Sequence, residues 1–165
     1  MANKTITERL QPSLLDRLTD NEPESKVETR DDRVIDLRRL RDIIRRDLAW
    51  LLNSNSQDTL IDAEQYPNIS NSVLNFGVRE VAGDYSTEKR AIEIRKSIKR
   101  AIIMFEPRIK EGTLEVVARK DQKSSLTVIE FDIHADMWAQ PLPMELYMRS
   151  QIDLTTGQLS LESVG

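Results

Sequence analysis

The sequence predicts an α+β domain in which N-terminal helices pack on one face of a C-terminal antiparallel sheet, and three features predict it. Apolar residues recur at spacings of three and four as far as Phe105. From Thr113 onward they recur at spacings of two. The strand-like segments then follow one another with turns and no helical pattern between them, which is the order of an α+β fold rather than of alternating βα units. With 165 residues the chain has the size of one domain with one core.

The elements follow in order. Pro12 and Ser13 are placed to start a helical turn over residues 13–18 that carries Leu14, Leu15 and Leu18 on one side. Residues 19–32 are almost wholly polar, TDNEPESKVETRDD, and cannot bury enough apolar surface to order themselves. Residues 1–32 are therefore expected to be a mobile segment with one apolar turn, and residues 33–165 a single domain. Asp31 or Asp32 can cap a helix whose stripe is Leu37, Leu40, Ile44, Leu48 and Leu51, ended by the polar run NSNSQD. After Tyr66 and Pro67, Asn68 can cap a short helix with Ile69, Val73 and Phe76 on one face and Gly77 as its stop. A third helix begins near Thr87 with Ile94, Ile98, Ala101 and Phe105 as its stripe, and Pro107 ends it.

Four strands follow. Leu114, Val116 and Ala118 alternate in the first; Ile129, Phe131, Ile133, Ala135 and Met137 alternate in the second with Glu130, Asp132, His134 and Asp136. Leu146, Met148, Ile152 and Leu154 mark the third, and a turn at residues 155–157 leads to a short terminal strand with Leu159 and Leu161. Ile94, Ile98 and Phe105 are expected to pack against Ile129, Phe131 and Ile133.

Composition removes several classes of function. The 24 basic and 28 acidic residues nearly cancel, leaving a net charge of -4, which gives no chain-wide attraction to nucleic acid or anionic lipid. No apolar run exceeds five residues, so neither a secretory core nor a membrane span is expected and the chain reads as cytoplasmic. With no cysteine and a single histidine, thiolate zinc sites and multi-histidine centres are ruled out, and no cofactor or metal is called for. His134 lies among Glu130, Asp132 and Asp136, yet the alternation of a half-solvated strand produces that pattern unaided. The arginines at 38, 39, 41, 45 and 46 are interleaved with Asp36, Asp42 and Asp47, as on a solvated helix face laced with ion pairs. No nucleophile elbow, phosphate loop, HExxH or EF-hand pattern occurs, and the acidic residues show abundance rather than an arrangement.

One constellation differs. Glu106, Pro107 and Arg108 form a charged pair around a helix-ending proline, framed by Phe105 and Ile109. The proline fixes the direction in which both side chains leave the helix. They can close the helix terminus as an internal ion pair, or they can form a socket in which the arginine fork meets carboxylates or carbonyls of another chain.

At this point the residues resemble a known family. The segments PSLLDRL at 12–18, DLAWLLNS at 47–54, YPNISNSVLNFGV at 66–78 and FEPRI at 105–109, in that order and spacing, are similar to TssE, the baseplate wedge subunit of type VI secretion systems, and to the small wedge protein of contractile phage baseplates. The resemblance implies a structural, non-enzymatic part. Glu106, Pro107 and Arg108 would engage a helical core bundle supplied by larger wedge subunits, and the C-terminal sheet would offer sheath subunits a docking surface. Leu14, Leu15 and Leu18 would dock on a partner or on the domain itself. The family's old lysozyme-like label implies the alternative of a carboxylate-dependent peptidoglycan hydrolase with Glu106 as its acid.

Overall fold

The computed structural model describes residues 13–20, 23–24, 37–79, 87–119, 128–138, 144–156 and 158–163. The elements are α1 (Leu14–Leu18), α2 (Leu37–Leu52), α3 (Pro67–Ser70), a 3-10 turn (Val73–Asn75), α4 (Thr87–Phe105) and strands β1 (Glu115–Ala118), β2 (Val128–Met137), β3 (Met144–Asp153) and β4 (Leu159–Ser163). The sheet is an antiparallel meander in the order β1-β2-β3-β4. The α+β class is as the change of period predicts. Both the proposed cap of α2 at Asp31 or Asp32 and most of the linker read at 19–32 lie outside the described residues.

Alternation decides which face of the sheet the helices cover. Ile129, Phe131, Ile133, Ala135 and Met137 of β2 and Leu146, Met148, Ser150 and Ile152 of β3 are buried together, and α4 lies over the β1 side while α2 lies over the β4 side. Phe131 stands between two small cross-strand residues, Ala118 of β1 and Ser150 of β3, and the Ser150 hydroxyl donates to the Phe131 carbonyl at 3.3 Å. Fully burying each of these aliphatic or aromatic side chains contributes about 1.5 to 3 kcal/mol. The other face is polar: Asp132 meets Arg149 at 3.5 Å, Gln151 donates to Glu130, and His134 stacks on Tyr147 with ring centroids 4.2 Å apart. His134 is thus engaged as a cross-strand aromatic neighbour. Among the described residues no group of three or more His, Cys, Asp or Glu side chains could hold a metal ion. Among the same residues no helix is long and apolar enough to cross a membrane.

Several expectations need correction. Leu37, read as the start of the α2 stripe, is 45% exposed, and the buried face instead takes in Ile43 and Leu52 beside Leu40, Ile44, Leu48 and Leu51. The short helix does not run through to Gly77. It starts on Pro67 with Tyr66, not Asn68, at its cap, stops at Ser70, and yields to the 3-10 turn, leaving Val73 in solvent. Phe105 is only partly buried, and its ring meets Phe76 edge to face at 5.3 Å. Leu114 precedes β1 and Leu154 follows β3, yet Leu114 is buried and Leu154 packs against the core.

Candidate partner-binding site

The end of α4 builds the site. Glu106 still donates its N–H to the Ile102 carbonyl at 2.9 Å, and Pro107 then breaks the helix because it has no N–H to give. The Ile109 N–H bonds back to the Glu106 carbonyl at 3.1 Å, closing a tight turn. The chain leaves this turn alongside the end of β2, with the Lys110 N–H on the Asp136 carbonyl and the Trp138 N–H on the Arg108 carbonyl, both at 2.8 Å. The elbow is therefore clamped between helix and sheet, which fixes where Arg108 stands.

Glu106 is 4% exposed, and its carboxylate is filled from within the same turn. Arg108 donates its Nε to Glu106 Oε1 at 2.6 Å and its Nη2 to Oε2 at 2.5 Å, a two-point fork, while its backbone N–H reaches Oε1 at 3.1 Å. The same Nη2 bonds Asp47 of α2 at 2.6 Å. Burial alone would make the Arg108 cation easier to lose, but the bonds and charges of Glu106 and then Asp47 outweigh it and raise its pKa. The structure thus realises the internal ion pair, with Arg108 the more exposed member at 28%.

The pair belongs to a longer chain of charges. Asp47 Oδ1 accepts from Arg46 Nε at 2.9 Å and Nη2 at 2.7 Å, and Arg46 passes its Nη1 to Asp16 of α1 at 2.6 Å. Asp16 also accepts from the Ser13 hydroxyl. Burial pushes the Asp16 carboxyl up, but the hydrogen bonds from Arg46 and Ser13 prevail and hold it below the ordinary carboxylate range. Arg46 lies over the exposed Trp50 ring, 4.9 Å from its centroid. Five side chains, Asp16, Arg46, Asp47, Arg108 and Glu106, thus link α1, α2 and the elbow without a gap.

This arrangement explains how α1 stands where it does. A single helical turn is not stable alone in water. No residue of α1 is buried, and Leu14, Leu15 and Leu18 are 73%, 46% and 74% exposed. The turn is held by its Asp16, and its leucines are left facing outward. The sequence singles out the leucines, Glu106, Pro107 and Arg108, and the structure ties the two groups to opposite ends of the same ionic chain. Asp16, Arg46 and Asp47 are missed as site residues, because their contacts cross between elements and leave no local spacing signal.

A small α+β domain with a polar sheet face, a locked charged elbow and an outward apolar turn has the surface of an assembly component. Comparison with known protein families matches residues 38–142 to the family described as baseplate wedge protein gp25. The match spans more than half of the chain, and the chain belongs to this family, which is structural and includes TssE and the phage baseplate wedge proteins. Neither a comparison with curated proteins nor one with solved structures finds a match.

Proposed function

We propose that the chain is a cytoplasmic, non-enzymatic subunit of a type VI secretion baseplate wedge, which binds the helical core bundle of the wedge through its elbow and α1 and helps dock the contractile sheath through its sheet. The observation that carries this reading is the ionic chain from Asp16 to Glu106, which puts the exposed leucines and Arg108 under one rigid control. Glu106, buried and saturated by Arg108, acts as a positioning residue. Arg108 and the exposed Pro107 are the members that reach the bundle. For the sheath, the strand β4 offers an edge that, among the described residues, pairs with β3 on one side only.

The hydrolase alternative fits poorly with the same geometry. Asp47 and Glu106 are close enough to bond one nitrogen of Arg108, and that guanidinium fills the space between two carboxylates that a sugar would have to enter. Leu14→Glu and Leu18→Glu test the assembly reading cleanly because both side chains already face solvent. Surface changes of this kind move stability by about 0.5 kcal/mol or less. The thermal midpoint should hold while recovery of the other wedge subunits with the tagged protein falls by about tenfold or more, the effect of losing one apolar anchor of about 1.4 kcal/mol or more. Undiminished recovery with both substitutions present would remove α1 from the interface.

A further inference from the structure

The free edge of β4 is not open along its whole length. Ile152 stands opposite Leu159 and Ser150 opposite Leu161, and the Asp153 N–H bonds the Gln158 carbonyl at 3.0 Å. Asp153 and Gln158 are therefore a hydrogen-bonded pair, and by alternation Leu159, Leu161 and Ser163 turn their N–H and C=O groups away from β3. At Leu159 one side chain takes both groups. The Leu159 N–H donates to Asn53 Oδ1 at 2.9 Å, and Asn53 Nδ2 donates to the Leu159 carbonyl at 2.9 Å. Asn53 is itself anchored to the last turn of α2, its N–H on the Ala49 carbonyl at 3.1 Å and its Nδ2 on the same oxygen at 2.8 Å. A carboxamide that exchanges both bonds with a single residue does what the facing residue of an antiparallel strand would do. At Leu161, among the described residues, the outward groups meet no partner.

We propose that Asn53 fixes the register of strand addition at this edge: an extended segment of the sheath partner pairs with the outward groups of Leu161 and Ser163 and stops short of Leu159, which Asn53 already holds. The inference rests on the reading that the β4 edge docks the sheath, and it adds which part of the edge is open. Outward donors and acceptors repeat every second residue, about 6.8 Å apart along the strand, a span that another backbone matches and one side chain does not. Leu161 packs in part against the core, so the partner residue beside it is apolar. A slip of one residue would turn every partner side chain to the wrong face, but a slip of two would not, so alternation alone leaves that error open. Asn53 closes it. It stands in the position that a strand displaced by two residues would need.

Amide hydrogen exchange on the full chain, alone and bound to the purified sheath subunit of the same system, tests this with Asn53→Ala and Leu161→Pro beside the wild type. In the free wild type Leu159 exchanges slowly and Leu161 fast, and sheath binding slows Leu161 by about tenfold or more. In Asn53→Ala, Leu159 exchanges about fivefold faster when free, having lost a hydrogen bond of about 1 kcal/mol, and becomes protected in the complex as the strand extends over it. In Leu161→Pro the lost N–H faces away from β3, so the sheet keeps its ladder while sheath affinity falls by about tenfold. Undiminished sheath binding by a folded Leu161→Pro chain overturns the docking edge and the stop together. Loss of binding in that variant with Leu159 exchange unchanged in Asn53→Ala, or still fast in its complex, overturns the stop and leaves the docking edge standing. Should Leu161→Pro not fold, protection of Leu161 in the wild type and of Leu159 in Asn53→Ala decides both points.

Discussion

Replacing Arg108 with Ala is expected to lower the stability of the isolated domain by about 3 to 5 kcal/mol, because it leaves the carboxylate of Glu106 buried without its counter-charge, with only the backbone N–H of residue 108 still donating to it. Glu106 is 4% exposed, and both of its oxygens are bonded by Arg108. The lower end of the range is expected, since removing the partly exposed guanidinium lets water approach. For a domain of this size about 3 kcal/mol corresponds to a fall of roughly 6 to 12 °C in melting temperature. Glu106→Ala should cost less, about 1 to 3 kcal/mol, because Arg108 keeps its bond to Asp47 and some contact with water. Calorimetry on the two variants checks the order. Equal losses would mean that the pair is not asymmetric in burial. No loss in either would mean that the elbow is not held by this pair. The same result bears on assembly: Arg108→Ala must be compared with a partner-binding measurement at a temperature where the variant is folded, so that lost contact and lost fold are separated.

The second large effect lies at Gly77. Its φ of +130° is a conformation that side chains with a Cβ rarely adopt, and an added Cβ would stand 2.3 Å from the backbone oxygen of Ser54. The overlap is with main chain, so no rotamer change relieves it. Relief requires separating the segment after α2 from the segment before α4, which are joined by the Val78 N–H on the Ser54 carbonyl at 2.8 Å and the Ser56 N–H on the Val78 carbonyl at 3.0 Å. Two such bonds at about 1 kcal/mol each, with backbone strain of about 1 to 3 kcal/mol, predict a cost of about 3 to 5 kcal/mol for Gly77→Ala. Gly112 is the control. Its φ of +88° is also positive, but nothing lies within 4 Å of an added Cβ, so Gly112→Ala should show only the backbone cost of about 1 to 2 kcal/mol. Chemical denaturation of both variants measures the difference, and equal values would mean that the Ser54 contact carries no strain.

Much of this architecture can be read from the sequence, and the limits have physical causes. The β2 and β3 alternation was legible because each strand buries one face, so every second residue from Ile129 to Met137 had to be apolar. Leu37 misled because periodicity marks a face but not its length: the stripe continues in sequence past the point where the core ends. Val73 misled because one helix was drawn through a segment that changes to a 3-10 turn at a serine cap, Ser72, whose side chain accepts the Leu74 N–H. At the elbow the sequence pointed to Glu106, Pro107 and Arg108 and left open whether they pair with each other. Arg108 also bonds Asp47, 61 residues away in the chain, and no local pattern encodes that contact. Asn53 was hidden for the same reason. In sequence it reads as part of a polar run that ends a helix, and only the arrival of β4 beside it gives its carboxamide a strand to hold.

The most direct test of the wedge assignment is affinity purification of the tagged full-length protein from its own cells under gentle lysis, with quantitative identification of what is recovered. A structural wedge subunit predicts co-recovery of the larger wedge subunits at a fixed ratio that survives gel filtration and falls when Leu14 and Leu18 are both changed to Glu. Recovery of the protein alone, together with peptidoglycan hydrolysis that Glu106→Gln abolishes, would contradict it.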